Sequence, residues 1–405
     1  MAKVCDLPHP EHRSPLLEKT RNLKMAQSAH RYVRGSTLSF YEWLSDIKAG
    51  AIPDGPAVWI CGDCHVGNLG PVANPTGAID IQIRDLDHTV IGNPAHDLLR
   101  LALSLASAAR GSNLPGVTTA LILEAMMEGY AKSFAPDFDE MSDVETPQTI
   151  RLAIRQSAAS SWKTLAEERI KGPKPNIPLG RRFWPLSENE RAEIARLTES
   201  DEIKSLATML RSREDDAKVR QIDAAYWMKG CSSLGLLRYA VLMSVGGKNS
   251  AKQYCLMDFK EAIAPAAPRD KLAEMPHNPA ERVVEGARHL SPNLGKRMLA
   301  VKMLGRSVFV RELLPQDLKL EIDQLTADEA TKVAIYLAAA VGKAHSRQMN
   351  METRKLWLAE LERNRPHDLD APTWLWKAVV ELLGVHEKAY LEHCRRYALA
   401  QRAAY

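Results

Sequence analysis

The sequence predicts an α+β protein of two lobes, one large and mostly α-helical, the other a small β-sheet with a helix packed on it. Three patterns carry this expectation. Over residues 95–135 apolar side chains recur at helical spacing, with Leu98, Leu101 and Leu105 on one face and Leu121, Met126 and Tyr130 on another. From near Ile222 the texture turns to strand: residues 236–244 and 253–259 are apolar or β-prone runs joined by Gly246-Gly247-Lys248-Asn249. A second hairpin is expected over 298–313, turning at Gly305-Arg306. The expected division is residues 1–220 for the large lobe, 221–318 for the small one, and 319–405 for helices that return to complete the large lobe.

Composition removes several function classes. With 45% hydrophobic and 26% charged residues over 405 positions, the chain has enough apolar surface for a two-lobed globular core and is not a disordered one. A net charge of +4 is too small to argue for nucleic acid or a membrane surface as partner. Six cysteines without a spacing framework suggest a reducing cytoplasm. The longest apolar run, residues 98–109, is interrupted by Arg100 and is too short to span a bilayer.

Taken in order, residues 1–20 read as a loose polar arm, and 21–47 as helices with a semi-apolar face at Phe40, Tyr41, Trp43 and Leu44. Arg34-Gly35 falls in this stretch and reads as structural rather than substrate-contacting. A helix is expected over 148–170, then a break at 171–185, where four prolines, two glycines and four basic residues read as a linker. Ser187-Glu188-Asn189-Glu190 is a capping box that starts a charged helix. Asn278-Pro279-Ala280-Glu281 opens another, with an N-cap residue followed by Pro at N1. Thr326 caps a helix running to about His345, and 373–399 is amphipathic helix whose aromatic stripe reads as core.

The chemistry concentrates in residues 59–100, WICGDCHVGNLGPVANPTGAIDIQIRDLDHTVIGNPAHDLLR. A short strand ends at Gly62-Asp63, His65 and Asn68 follow in a polar loop, and a hairpin turning on Asn74-Pro75-Thr76-Gly77 delivers Asp85 and Asp87. A helix then opens with Asp97 in its first turns. Phosphoryl transfer needs one carboxylate to orient a hydroxyl, and a second carboxylate with a side-chain carbonyl to hold Mg²⁺. Asp63 with Asn68 five residues on has the spacing of a kinase catalytic loop. Any one of these acids alone would read as a solvated surface residue; the ordered set reads as function. Cys61-Gly62-Asp63-Cys64-His65 also matches the C-x-x-C-H signature of covalent haem attachment. That chemistry requires export, and the start of the chain, MAKVCDLPHPEHR, has no apolar leader core, so the two cysteines read as packing groups.

With these residues in view, the stretch resembles the catalytic segment of aminoglycoside phosphotransferase-type, protein-kinase-like enzymes. The chain as a whole is similar to the bacterial domain-of-unknown-function family 2252, regarded as a circularly permuted kinase-like fold. The resemblance implies Asp63 as the catalytic aspartate, Asn68 and Asp85 as metal ligands, and Asp97 as a brace on the loop, with His65 and Asp87 in support. In the small lobe it implies a phosphate-binding turn at Gly230, Ser232, Ser233 and Gly235, where Ser232 replaces the family's middle glycine. Lys260 is a strand-end lysine by itself; placed one strand after that turn and one helix before the hairpin, it is expected to meet nucleotide phosphates. Glu281 and Glu285 share a helix face, and Glu285 is expected to position Lys260 because Glu281 is near the helix cap. Glu312 and Leu313, in a hinge over 311–315, are expected to offer backbone groups to an adenine.

The function expected is therefore an ATP- and Mg²⁺-dependent phosphotransferase acting on a hydroxyl of a small-molecule or protein acceptor. The alternatives are nucleotidyl (AMP) transfer on the same scaffold and a non-catalytic nucleotide-binding regulatory pseudokinase. The presence of Asp63, Asn68, Asp85 and Lys260 favours activity. Oligomeric state has no readable signal.

Overall fold

The computed structural model describes residues 7–74, 76–112, 114–135, 138, 141, 144–159, 176–210, 213–214, 217–231, 233–246, 253–314, 325–363 and 371–399. It opens with three helices, α1 (Arg13–Met25), α2 (Ala29–Gly35) and α3 (Thr37–Asp46). The arm expected to be loose over residues 1–20 is therefore helical from Arg13. The cause is distant in sequence. Arg13 is buried, donating to both carboxylate oxygens of Glu190 at 2.7 and 3.1 Å and to the Pro185 carbonyl. A buried guanidinium this well paired anchors a segment whose local composition is polar.

The central segment follows expectation closely. Strands β1 (Val58–Ile60) and β4 (Val90–Gly92) pair antiparallel, and β2 (Leu69–Ala73) and β3 (Ile79–Ile83) form the hairpin, with Leu69 opposite Ile83. Asn74 builds its turn by accepting hydrogen bonds from the Thr76 and Ala78 N–H groups at 2.9 and 3.0 Å. Helices α4 (Ala95–Gly111) and α5 (Gly116–Lys132) come next, then α6 (Gln148–Ala159). Helix α4 is buried almost all round, including its polar residues Asp97, Arg100 and Ser104, so it is the spine of the large core rather than a surface element. The expected continuation of α6 to residue 170 lies outside the described residues, as does the first part of the basic break at 171–185.

Strand β5 (Phe183–Trp184) begins a six-stranded antiparallel sheet in the order β5-β6-β7-β8-β10-β9. Helices α7 (Glu188–Thr198) and α8 (Asp201–Thr208) precede its main strands β6 (Lys218–Trp227), β7 (Arg238–Gly246) and β8 (Gln253–Glu261). Ser187 and Glu190 cap α7 reciprocally, as the sequence predicts. Helix α9 (Pro279–Leu290), capped by Asn278, a short helical turn Pro292–Gly295, and β9 (Met298–Met303) and β10 (Arg306–Leu313) complete the sheet region. One core joins Trp184, Ile194 and Leu206 to Val241, Met257 and Val310. Residues 183–208, placed by sequence with the large lobe, thus pack on the sheet, because β5 extends it and α7 and α8 bury their apolar faces on it.

The last helices, α10 (Ala327–Ser346), α11 (Met351–Leu361) and α12 (Thr373–Cys394), return to the first core, where α10 contributes Val333, Leu337 and Val341 and α12 contributes Leu375, Val379 and Leu382. A π-helical turn, Arg395–Leu399, follows. Among the described residues no helix is long and apolar enough to cross a membrane.

Candidate functional site

One stripe of α4 holds the loop that carries Asp63 and Asn68 in place. Asp97, Arg100 and Ser104 lie at helical spacings of three and four, hence on one face. Asp97 accepts the Cys61 N–H at 2.7 Å and the Gly62 N–H at 2.9 Å. Arg100 donates through Nε to Asp63 Oδ1 at 2.8 Å, and Ser104 Oγ accepts the Val66 N–H at 3.2 Å. The loop is thus pinned at successive points by one helix. Asp97 has a second partner in His345 Nε2 at 3.2 Å; His345 Nδ1 meets the Tyr130 hydroxyl at 2.9 Å, and Trp357 Nε1 donates to that hydroxyl at 3.1 Å. Helices from both ends of the chain therefore meet at the brace. Gly62 makes the turn with φ +72°, where a Cβ would run into the His88 carbonyl oxygen, so glycine is required here.

Asp63 is buried, which opposes ionisation, but the charge and hydrogen bond of Arg100 outweigh burial and hold its carboxyl below the usual range. Its Oδ2 is 3.8 Å from His65 Nε2, too far for a hydrogen bond, and so remains an available acceptor. Burial pushes the His65 imidazole down to about 3 against the attraction of Asp63, so it stays neutral. Asn68 donates its amide N–H to the Asp63 carbonyl at 2.9 Å, which leaves its Oδ1 as acceptor. Arg84 N–H donates to the Asn68 carbonyl at 2.7 Å and so places Asp85 next to this loop.

The second half of the site comes from the sheet. Lys260 Nζ, with Lys260 only 1% exposed, lies 2.5 Å from Asp87 Oδ2 and 3.1 Å from Asp85 Oδ1. A lysine near the end of β8 therefore clasps both acids delivered by the β2–β3 hairpin. Desolvation opposes ionisation of Asp85, yet Lys260, Arg311 and Arg238 overcome it and hold the carboxyl low. Asp87 goes the other way: burial and the neighbouring Asp85 charge raise it, against Lys260. Its Oδ1 is buried without a hydrogen-bond partner.

Three expectations need correction. Lys260 does not pair with Glu285, whose carboxylate meets Arg288 at 3.0 Å and His289 at 3.3 Å on its own helix. The inward stripe of α9 is Val283, Gly286, Ala287 and Leu290, and Glu285 falls off it. Glu312 does not hold its carbonyl open for an adenine: that oxygen accepts from Arg297 at 2.9 Å, and the side chain is buried against Arg213 at 2.7 Å. Leu313 is still within β10, opposite Leu256, and buried. The Gly230–Gly235 turn is present, bent by positive φ at both glycines (+102° and +110°), with Ser233 inside it. Ser232 lies outside the described residues. Cys61 and Cys64 are fully buried, burial pushes the Cys61 thiol up, and both pack as the sequence predicts.

Sequence reasoning did not single out Arg100, His345, Arg282 or the sheet-face group around Asp258. Arg282 donates to the Asp87, Thr89 and Ile263 carbonyls, tying α9 to the acidic loop. Asp258 is fully buried, paired through both oxygens with Arg238 at 2.9 and 2.6 Å and with Arg311 at 3.1 Å. The readable signal was polar residues interrupting apolar elements: Asp97, Arg100 and Ser104 in α4, and Asp258 and Lys260 two apart, hence on one face of β8.

Among the described residues no three His, Cys, Asp or Glu side chains gather into a metal cage. The acids present suit Mg²⁺ better than a cage metal, because Mg²⁺ binds through one or two carboxylates and fills its remaining positions with water and phosphate oxygens. Asp85, whose side chain is 42% exposed, the unpartnered Asp87 Oδ1 and Asn68 Oδ1 are the donors that fit.

Fold and site together define an α+β protein in which a helical body presents a braced acidic loop to the basic face of an antiparallel sheet. The chain belongs to the bacterial family described as "Uncharacterized protein conserved in bacteria (DUF2252)", whose model matches residues 13–396. No curated protein and no solved structure matches it.

Proposed function

We propose that this protein is an ATP- and Mg²⁺-dependent phosphotransferase acting on a hydroxyl acceptor, built on a circularly permuted, two-lobed protein-kinase-like fold. The observation that carries the reading is the Lys260 clasp. A buried lysine from the third main strand of the sheet meets two carboxylates from the segment that also carries Asp63 and Asn68. Kinase-type sites use a strand lysine on the nucleotide phosphates, carboxylate and Asn ligands for Mg²⁺, and an Asp for the acceptor. Asp85, Asp87 and Asn68 would hold the ion, which supplies charge neutralisation on the transferring phosphates.

Asp63 accepts a hydrogen bond from the acceptor hydroxyl through Oδ2 and aims its oxygen at the terminal phosphorus. A new P–O bond forms, the bond to the leaving ADP breaks, and the hydroxyl proton passes to Asp63. Because Arg100 keeps Asp63 a weak base, orientation contributes more than proton abstraction, which suits a loose transition state in which the proton moves late. Lys260 exchanges its carboxylate partners for phosphate oxygens when nucleotide enters.

Thermal unfolding with ATP and Mg²⁺ tests this directly, since a ligand bound only by the folded chain raises its melting temperature. A rise in wild type that is absent in Lys260→Met supports the site. No rise at millimolar ATP, with or without Mg²⁺, removes the nucleotide reading.

A further inference from the structure

A nucleotide whose phosphates reach Lys260 needs an apolar surface for its base. Strand β8 ends at Glu261, so its face runs on from Lys260 only toward Asp258 and Leu256, two and four residues back. Asp258 is saturated by Arg238 and Arg311. Leu256 lies opposite Leu242 on one side and Leu313 on the other, and Ala240 and Ala225 continue the same face in register. At ordinary strand rise Leu256 is about 13 Å from Lys260, within the length of an extended nucleoside triphosphate. The nearby Trp227 ring is already covered: Phe183 stacks on it at 5.7 Å, and the Lys229 ammonium stands 4.1 Å from its centre.

The apolar patch is not open either. Ile177, only 7% exposed, is buried in one cluster with Ala225, Ala240, Leu242, Leu256 and Leu313. It comes from residues 176–182, which lead into β5 and whose other members are half-buried or exposed, Leu179 among them. The β5 end of this segment is firmly tied. Gly180 N–H donates to the Phe183 carbonyl and Met228 N–H to the Arg182 carbonyl, both at 2.8 Å, and Phe183 and Trp184 pair with β6. Among the described residues, the other end is held by the Ile177 side chain and by one hydrogen bond, from the Ile177 N–H to Asp223 Oδ2 at 2.8 Å. A stretch with so few buried contacts opens at lower cost than the sheet it covers.

We propose that residues 176–182 are an autoinhibitory plug, in which Ile177 occupies the surface needed by the nucleotide base and is displaced when the base binds. This rests on the phosphotransferase reading and adds a regulation of the same site. It also accounts for Leu313, which packs in the cluster with Ile177 instead of meeting an adenine. Nucleotide affinity is then reduced by the fraction of chains in which the plug is lifted.

The test uses the full chain, calorimetry and two probes, each with Mg²⁺: a non-hydrolysable ATP analogue, and inorganic tripolyphosphate, which has the phosphates and no base. Ile177→Ser should raise analogue affinity by about tenfold, as expected when one such side chain no longer holds the closed state, and leave tripolyphosphate affinity unchanged. Asp223→Ala releases the latch but keeps the apolar plug, and should raise analogue affinity less. Equal analogue affinity in wild type and both variants, or a gain shared by tripolyphosphate, overturns the plug while the nucleotide reading stands. Weaker analogue binding by Ile177→Ser overturns it too, since Ile177 would then be a wall of the base site. Hydrogen exchange on wild type needs no substitution: residues 176–182 should exchange faster once the chain is saturated with analogue, and unchanged or slower exchange overturns the proposal. If analogue and tripolyphosphate both fail to bind, the phosphotransferase reading itself falls, and the plug with it.

Discussion

Asp63 and Lys260 are both buried charges, yet the molecule holds them in opposite ways. Asp63 sits in a closed network: Arg100 on one oxygen, the loop pinned to Asp97, and Asp97 backed by His345, Tyr130 and Trp357. Lys260 is held by partners that are easier to exchange, since Asp85 is partly open to solvent and Asp87 keeps an unpartnered oxygen. A fixed carboxylate suits the task of aiming an acceptor. A lysine with replaceable partners suits a ligand that comes and goes. Under the proposed function the two halves would separate positioning from binding, and each could be disturbed without the other.

The largest effect is expected at the brace. Asp97→Ala leaves two buried backbone N–H groups and His345 without their acceptor, and hydrogen bonds to charged groups contribute about 1.5–3 kcal/mol each. Denaturant unfolding should show a loss of about 3 kcal/mol or more, with turnover lost as well. Wild-type stability in this variant would show that the closed half is not closed.

A smaller effect should appear in the pH dependence. His65 is held at about 3 in the folded chain by burial, against 6.5 for the free imidazole. As pH falls the unfolded chain takes up this proton first, so stability drops between about pH 6.5 and 3 by up to about 1.4 kcal/mol per pH unit. His65→Gln should flatten the profile by one proton in that window. An unchanged slope would mean that His65 is not the buried neutral group described.

Least affected should be the double variant Cys61→Ala with Cys64→Ala. Both thiols are packing groups beside the loop and no step uses them, so nucleotide affinity should match wild type in calorimetry. A lost affinity with an intact fold would return these cysteines to the chemistry.

The same contrast explains what the sequence could reveal. The β2–β3 hairpin and the caps at Ser187, Asn278 and Thr326 were legible because a turn residue or a cap acts on its immediate neighbours. The brace on Asp97 was legible as a position, an acid in the first turns of a helix after the loop, but its partner His345 lies 248 residues away and has no local signature. Glu285 was misplaced for a related reason: two glutamates four apart share a face, but only the packing of α9 says which face turns inward. Asp87 reads from sequence as support, and it makes the shorter of the two carboxylate contacts to Lys260. Arg13 looked like part of a loose arm because its partner, Glu190, is 177 residues away.

The measurement that bears most directly on the division of labour is calorimetric titration of ATP with Mg²⁺ into wild type, Asp85→Asn and Asp63→Asn. Asp85→Asn removes a charge from the half proposed to hold Mg²⁺ and should weaken Mg²⁺-dependent nucleotide binding. Asp63→Asn should bind as wild type does, its cost appearing in turnover as roughly 10²–10⁴-fold once an acceptor is in hand. If Asp63→Asn abolishes binding while Asp85→Asn binds normally, the roles are reversed. If both bind like wild type, the acidic segment is not the metal site and the account fails.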